Sequence, residues 1–411
     1  MHPNLSDLIA SSYRTHYGQL FATLFRQFGP RYLSEIEDAI QNAFYKSLRS
    51  WKPDRLPDNQ ANWLFIVARN DLLNQIKKAD RFEVKEKDTP TEDSPALTDD
   101  LRLHTILYLA RLESLSAKAK VIFVLKNIFG LHIKEIHEST LLSEHALYKL
   151  IRRSKGALEA SGSPADFAAI EQQISSQEIA LVEEILYAVF NLGFDSFKEK
   201  VASTIDEALC LEAVALAKML LNKFERPSTR NLLALFCFHL ARVPAKVRDQ
   251  KIIPFFSQRK ADWNEQFLQL GFHYLTQAKP VSRYYLEALI TSKHMTAETY
   301  DEQHWTEIIR LYRLLLPFSD SPILRLNLVF CLFRLGQKEE AMSMLQSVED
   351  ELPEEHIYLT LVRANLLKEE LSPETKQLTQ QTLRKIKQEI RKEYISEHLF
   401  GDDPAYDGQA L

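Results

Sequence analysis

The sequence predicts an all-α protein: two small helical domains, the second with a helix-turn-helix, joined by a flexible linker and followed by a tetratricopeptide-like (TPR-like) helical domain. Ten glycines and sixteen prolines in 411 residues are too few for the many tight turns of an all-β protein. Good helix formers such as Leu, Ala, Glu and Lys are plentiful instead. Apolar residues also recur at helical intervals through most of the chain.

The first domain is predicted at 5–81. Its first helix carries apolar residues from Leu20 to Phe28 and ends at Gly29-Pro30. Ser34, with Glu37 three residues later, predicts a capping box that opens a helix at 35–50. The segment 51–59 holds two prolines in five residues and is predicted to be a loop, and a long helix follows at 60–78.

The rest of the chain divides by composition. Residues 82–100 are charged and almost free of large apolar residues, which predicts a flexible linker. A second helical domain is predicted at 101–160 and a helical extension at 166–390, with 391–411 as a tail.

Two matches to a tetratricopeptide-type repeat occur in the extension. Ala215 and Met219 precede Pro227 at the spacing of such a repeat, and Ala341 and Leu345 precede Pro353 in the same way. The segment Leu335-Gly336-Gln337 would supply the turn before the second match. Any antiparallel helix array shows some of this pattern, so we expect a degenerate repeat.

The charge is distributed unevenly. The whole chain has 51 basic and 56 acidic residues, a net charge of −5. Residues 1–160 carry 23 basic and 20 acidic side chains, or +3, which leaves −8 for residues 161–411. We therefore expect the two parts to have different partners.

The cysteines and the apolar runs point to a cytoplasmic protein. Cys210, Cys237 and Cys331 are widely separated, odd in number and surrounded by apolar residues, so neither a disulfide framework nor a metal site fits them. No run approaches the roughly 18 apolar residues of a membrane span. We expect no membrane association, metal or other cofactor.

The clearest local pattern is a helix-turn-helix at 131–158. Leu147, Leu150, Ile151 and Leu158 share one face of a helix that starts at Ser143. The opposite face carries His145, Tyr148, Lys149, Arg152, Arg153 and Lys155. Such a basic face is typical of a recognition helix in the DNA major groove. The alternative is an ordinary helical hairpin with a solvated basic face.

A second polar stripe lies on the helix predicted at 60–78. Asn70, Asn74, Lys77 and Lys78, continued by Arg81, fall on one face, and Trp51 and Trp63 flank the preceding loop. Amides, cations and aromatic rings together suit single-stranded nucleic acid, whose bases stack and whose phosphates need neutralising. An amphipathic helix with core tryptophans is the alternative.

Residues 10–158 resemble bacterial RNA polymerase sigma factors of the extracytoplasmic-function type, in the sigma-70 family. The resemblance rests on three motifs in the expected order: an acidic segment at 37–44, the start of a helix at 59–70, and the helix-turn-helix at 131–155. Residues after 190 are similar to the long TPR-like extension of one sigma subgroup, which is thought to be needed for sigma activity.

The resemblance implies roles for individual residues. Polymerase docking on the β′ subunit would use Glu37, Asp38, Gln41 and Asn42, although Asn42 stands where the family usually has Glu. Minus-ten DNA would be held by Trp51, Asn59, Trp63, Arg69, Asn70, Asn74, Lys77 and Lys78. Minus-thirty-five DNA would be read by Ser143, His145, Tyr148, Lys149, Arg152, Arg153 and Lys155.

The expected function is therefore promoter-specific transcription initiation, with the extension acting in cis. The expected partners are core RNA polymerase, through β′ and β, promoter DNA, and a protein or peptide regulator at the extension. The alternatives are a TPR-type interaction scaffold and a helix-turn-helix regulator that does not use polymerase in this way. An enzyme is not expected, because no glycine-rich phosphate loop, zinc-ligand spacing or nucleophile motif occurs.

Overall fold

A computed structural model of the chain describes residues 5–52, 54–79, 100–138, 140, 142–161, 172–195, 205–249, 251–276, 281–352, 356–366, 380–381, 383–384 and 389–400. It confirms the all-α class, because helices dominate the described residues. The sheet found among these residues is a two-stranded hairpin, which the sequence did not predict.

The secondary structure follows the chain in this order. The first seven helices are α1 (Leu5–Phe28), α2 (Leu33–Ser50), α3 (Gln60–Ala79), α4 (Arg102–Arg111), α5 (Ala117–Asn127), α6 (Ile133–Glu138) and α7 (Glu144–Ser161). They are followed by α8 (Ser176–Phe194), α9 (Glu207–Phe224), α10 (Pro227–Ala241), α11 (Val243–Lys246), β1 (Val247–Arg248), β2 (Lys251–Ile252) and α12 (Glu265–Tyr274). The last are α13 (Arg283–Thr296), α14 (Glu302–Leu315), α15 (Pro322–Arg334), α16 (Lys338–Glu349), α17 (Ile357–Leu366) and α18 (Glu389–Phe400).

The chain forms two compact units, Met1–Val189 and Phe190–Leu411. Both predicted small domains lie in the first unit. The division falls inside α8, whereas the sequence placed it at about 161–165. The linker predicted at 82–100 lies outside the described residues apart from Asp100.

The N-terminal unit is built on the aromatic face of α1. Tyr17, Phe21 and Phe25 recur every four residues and are fully buried, and the rings of Phe21 and Phe25 stack with their centroids 5.7 Å apart. Phe21 contacts Phe123 of α5 edge-on at 6.2 Å, and Phe25 contacts Tyr108 of α4 at 5.7 Å. One face of α1 therefore packs against the second predicted domain.

The start of α2 differs from the prediction. The capping box of Ser34 and Glu37 is wrong, because α2 already begins at Leu33 and no side chain caps it. Ser34 lies within the first turn, and its Oγ donates to Glu159 of α7 at 2.9 Å. A contact 125 residues away thus replaces the predicted local one.

In the C-terminal unit, successive helices pack on their neighbours. One continuous core, which includes Trp305, Leu315, Val329 and Leu345, runs through α13 to α17. A Cβ on Gly271 of α12 would lie 2.5 Å from the Phe238 ring of α10, so these two helices approach closely. Packing between consecutive helices is typical of helical-repeat proteins.

The two predicted repeat matches behave differently. Ala341 and Leu345 are buried, and Gly336, at φ 81°, forms the turn between α15 and α16 as predicted. Ala215, by contrast, is exposed on α9, where Ala213 and Ala217 face the core instead. Pro353 lies outside the described residues. The first match is therefore wrong as a packing pair.

Candidate functional site

The outer face of α2 carries the residues predicted to dock on polymerase. Asp38, Gln41 and Asn42 are exposed there. Asn42 donates from Nδ2 to Asp71 of α3 at 2.9 Å, which fixes its amide. That hydrogen bond, with those from Gln75 and Lys46, lowers the pKa of Asp71 although partial burial opposes the shift. Three of the four predicted docking residues thus form one accessible patch.

Glu37, the fourth, is not accessible. Only 9% of the Glu37 surface is exposed, and the Glu37 carboxylate forms an ion pair with Lys155 of α7. The other carboxylate oxygen, Oε1, is buried and accepts no hydrogen bond among the described residues. Lys155 was predicted to bind DNA, and in this structure its ammonium group turns to Glu37 instead.

The surroundings of this ion pair are largely buried. Burial raises the pKa of Tyr13 to about 12, and Glu37 contributes to the same shift. Burial also lowers the pKa of Lys126 of α5, with Lys155 acting in the same direction and Glu37 opposing it. A low local dielectric strengthens the attraction between Glu37 and Lys155 and makes either charge costly to leave alone.

Further polar contacts link the same parts of the unit. Arg14 of α1 donates from Nη2 to Glu135 of α6 at 2.7 Å and from Nη1 to the carbonyl oxygen of Phe129 at 3.3 Å. The ring of Tyr13 stacks near that of His132 at 6.1 Å. Together with Ser34 and Glu159, these residues frame an interface, which we call the closed interface, between the α1–α2 region and the α4–α7 region.

The loop before α3 is more buried than its predicted role requires. Trp51 is only 4% exposed and packs edge-on against the partly buried Trp63, with ring centroids 5.5 Å apart. Asn59 accepts a hydrogen bond from the backbone N–H of Asn62 at 2.9 Å and so caps α3. In this structure Trp51 supports Trp63 and does not present its own face.

The outer face of α3 agrees with the predicted stripe. Asn70, Asn74, Lys77 and Lys78 are all exposed. Arg69 lies partly buried beside them, and its Nε has no hydrogen-bond partner among the described residues. Arg81 lies outside the described residues. The stripe offers two amides and two cations to a ligand.

The second helix of the predicted helix-turn-helix is α7, and its outer face is basic. Ser143, predicted to begin this helix and to bind DNA, accepts from the backbone N–H of Ala146 at 3.3 Å and so caps the helix. His145, Lys149, Arg152 and Arg153 are exposed, as is Tyr148, at 59%. Leu147, Ile151 and Leu158 are buried on the opposite face. Only Lys155 among the predicted DNA-binding residues of α7 is held by a carboxylate across the closed interface.

The C-terminal unit contains a buried charged cluster that the sequence did not reveal. Asp195, at the end of α8, accepts from Arg391 of α18 at 2.6 Å and from the Tyr358 hydroxyl. Lys246 donates to the carbonyl oxygen of Phe194. Burial alone would raise the pKa of Asp195, but Arg391 and Lys246 outweigh it and the pKa is lowered.

Burial has the opposite effect on the bases of this cluster. It lowers the pKa of Lys246 to about 8 and that of His239 to about 3, and neighbouring cations add to both shifts. Because Arg391 belongs to α18, the predicted tail at 391–411 begins within a packed helix. No sequence signal links residues 196 positions apart, so only tertiary structure shows this cluster.

Among the described residues, no group of three or more His, Cys, Asp and Glu side chains could hold a metal ion. Over the same part of the chain, no helix is both long and apolar enough to cross a bilayer. The three cysteines are free and buried.

Two family models match the chain. The model described as Sigma-70 region 2 matches residues 13–82, the segment that contains α2 and α3. The model described as Family of unknown function (DUF6596) matches residues 178–279, at the start of the extension. The two matches leave residues 83–177, and with them the predicted helix-turn-helix, uncovered.

Among known proteins, an uncharacterized protein of Rhizobium meliloti (strain 1021), R00370, is 25% identical over 371 residues, 85% of this chain and 85% of that protein. The probable ECF RNA polymerase sigma factor SigI of Mycobacterium tuberculosis (strain H37Rv) is 29% identical over 143 residues. That match covers 32% of this chain and 47% of SigI, so the chain spans about half the length of this relative. No solved structure matches the chain.

Proposed function

Because the chain carries a sigma-70 region 2 domain and is homologous to an extracytoplasmic-function sigma factor, we propose that it directs core RNA polymerase to specific promoters in the cytoplasm. The outer face of α2 docks on β′. The α3 stripe and the loop before it hold the opened minus-ten element, and the outer face of α7 binds the minus-thirty-five element. The chain is a transcription initiation factor and not an enzyme.

One observation carries the proposal. The matched segment 13–82 contains both α2 and α3, and on each helix a row of polar side chains faces outward while the apolar face is buried. Asp38 and Gln41 offer an acceptor and an amide to a protein surface. Asn74 and Lys78 offer an amide and a cation to a single strand. Two chemically distinct outer faces on adjacent helices suit a factor that binds polymerase and DNA together.

In vitro transcription tests the proposal. The purified chain and core RNA polymerase are incubated with genomic fragments, and promoter-specific transcripts are mapped. We expect transcripts that need the chain and that are lost in the double variant Asn70→Ala, Asn74→Ala. Lys118→Gln, an exposed change on α5 outside every predicted contact, serves as the matched control. Absence of any specific transcript from all fragments contradicts the proposal.

The C-terminal unit acts in cis in this proposal. Residues 161–411 carry a net charge of −8, and the successive helices of the unit pack on one another, which together suit a module that binds a protein or peptide regulator. A variant that ends at Val189 decides the direction: loss of transcription identifies an activator, and a gain identifies an inhibitor. Unchanged transcription removes the regulatory role.

An interaction scaffold is the rival function. A scaffold would use the same basic face of α7 for a protein partner, without polymerase. Co-purification of β and β′ with the tagged full chain separates the two functions. We expect both subunits with the native chain and their loss in the double variant Asp38→Lys, Gln41→Lys.

A further inference from the structure

Glu37 has two competing partners, Lys155 in this structure and the polymerase surface under the proposed function, and it cannot bind both at once. Under the proposed function it belongs to the surface that docks on polymerase, yet in this structure Lys155 neutralises it and α7 covers it. We propose that the closed interface is an autoinhibitory contact within the chain, in which α7 blocks polymerase docking until a competing cation from the polymerase surface takes the place of Lys155. This inference rests on the proposed function.

Promoter geometry supports the same conclusion. Elements centred near 10 and 35 base pairs upstream lie about 85 Å apart, at about 3.4 Å per base pair. A compact unit of this length has a radius of gyration of about 16 Å, and its α7 contacts α2 directly through Lys155 and Glu159. The α3 stripe and the α7 face therefore cannot reach both elements while the interface is closed.

The covalent connection permits the required separation. Residues 80–99 join α3 to the second region, and a chain of 20 residues spans at most about 70 Å. The lengths of the two regions themselves add to that reach. The two regions can therefore separate at the closed interface without unfolding of α3 or α4.

The contacts of the closed interface explain why it forms without a partner. Arg14 bridges α1 to α6, Ser34 bridges α2 to α7, and Phe21 packs on Phe123 in the buried core. The contact between Glu37 and Lys155 adds an ion pair in a largely buried site. Only the last of these uses a predicted docking residue, so the other contacts can be altered without touching the docking patch.

A reversible cross-link tests the inference. Ser34→Cys and Glu159→Cys place two thiols where a hydrogen bond of 2.9 Å now lies, and a short, reducible bismaleimide would join them. The three native cysteines are buried, and burial raises the thiol pKa of Cys210 and of Cys237 to about 12, which leaves little thiolate to react. We expect the cross-linked chain to lose core polymerase binding and promoter-specific transcription, and reduction of the linker to restore both.

The controls separate the possible failures. The single variants S34C and E159C, treated with the same reagent, lose one contact of the closed interface and should bind polymerase at least as tightly as the native chain. If the cross-linked chain binds polymerase and initiates as well as the reduced chain, autoinhibition is overturned. If the reduced chain also fails to bind polymerase, the proposed function itself is contradicted.

A second variant opens the interface from a different side. Arg14→Ala removes the bridge to Glu135 and the bond to Phe129 without changing a docking or DNA residue. We expect core polymerase to bind this variant about tenfold more tightly, since loss of a charged hydrogen bond raises the open fraction by about that factor. Circular dichroism confirms that the variant is folded, and Glu135→Gln should act in the same direction. Unchanged or weaker binding by folded R14A contradicts the inference.

Discussion

Gly18 of α1 lies so close to Ile128 that a Cβ atom on the glycine would stand 1.8 Å from the Ile128 carbonyl oxygen. The Cδ atom of Arg102 would lie 3.2 Å from that Cβ atom. Only a residue without a side chain allows α1 to approach the end of α5 this closely.

Replacing this glycine should destabilise the N-terminal unit. Gly18→Ala is expected to lower the free energy of unfolding by about 1–3 kcal/mol, because backbone atoms must move to admit the methyl group. Urea denaturation followed by circular dichroism measures it. Gly156→Ala on α7 is the matched control, since nothing lies within 4 Å of its Cβ position, and it should be neutral or stabilising by up to about 1 kcal/mol. Equal losses from the two variants would contradict the role of Gly18.

The exposed arginines of α7 should set the salt dependence of promoter binding. Arg152→Gln and Arg153→Gln are each expected to reduce the slope of log affinity against log salt by about 0.9, because each removes one phosphate contact. The measurement is the affinity of the holoenzyme for promoter DNA over a series of KCl concentrations. Lys118→Gln should leave the slope unchanged. A slope that stays constant in the double arginine variant argues against phosphate contacts by this face.

Arg391 should stabilise the C-terminal unit through Asp195. Arg391→Ala is expected to lower its free energy of unfolding by about 3 kcal/mol, because Asp195 would keep a mostly buried charge with one partner fewer. Thermal unfolding and hydrogen exchange of the α10 amides report the loss. Lys392→Ala, next in sequence but paired among the described residues with exposed Glu389, is the control and should change stability by less than about 1 kcal/mol. If Arg391→Ala and Lys392→Ala lower the free energy of unfolding equally, the charged cluster around Asp195 does not stabilise the unit.

His239 should make the C-terminal unit sensitive to acid. Its folded pKa of about 3 lies below the usual 6.5, so the unfolded chain binds more protons between these values and stability falls as the pH falls through this window. Down to pH 4, the loss should be of the order of 3 kcal/mol. Asp195 acts in the same direction, but only below about pH 4.

His239→Phe keeps ring packing against Phe194, whose centroid lies 4.8 Å away, and removes the titrating group. Urea midpoints measured from pH 7 to pH 4 should therefore vary less in the variant than in the native chain. The exposed His273→Phe provides the control and should retain the native pH profile. A variant as acid-sensitive as the native chain refutes the role of His239.

Local signals in the sequence predicted the helices well. The long helix predicted at 60–78 is α3, and the helix predicted to start at Ser143 is α7 with Ser143 as its cap. Both predictions rest on apolar spacing and, for α3, on the proline-bearing loop that precedes it, which are signals local to the chain. The exposed stripes on α3 and α7 follow from the same periodicity.

Contacts between distant residues were beyond such signals. Ser34 and Glu37 have the spacing of a capping box, but both instead pair with α7, 118 or more residues away. Trp51 was predicted to help hold a single strand because it flanks the loop beside the α3 stripe, yet it packs against Trp63 and is buried, as the alternative of core tryptophans predicts. Ala215 matched a repeat at the right spacing but on the wrong face of α9. For Ser34, Glu37 and Trp51, a tertiary partner outweighed a local pattern.

The separation of Asp195 and Arg391 has a consequence for biosynthesis. Their ion pair joins residues 196 positions apart, so the charged cluster is incomplete until α18 has been translated. At about 5–20 residues per second, a ribosome needs about 10–40 s to travel from one to the other. During that interval the N-terminal unit, with the surfaces proposed to bind polymerase and DNA, has already been synthesised. Under the proposed autoinhibition, the closed interface, which lies wholly within that unit, restrains the nascent factor before the extension has folded.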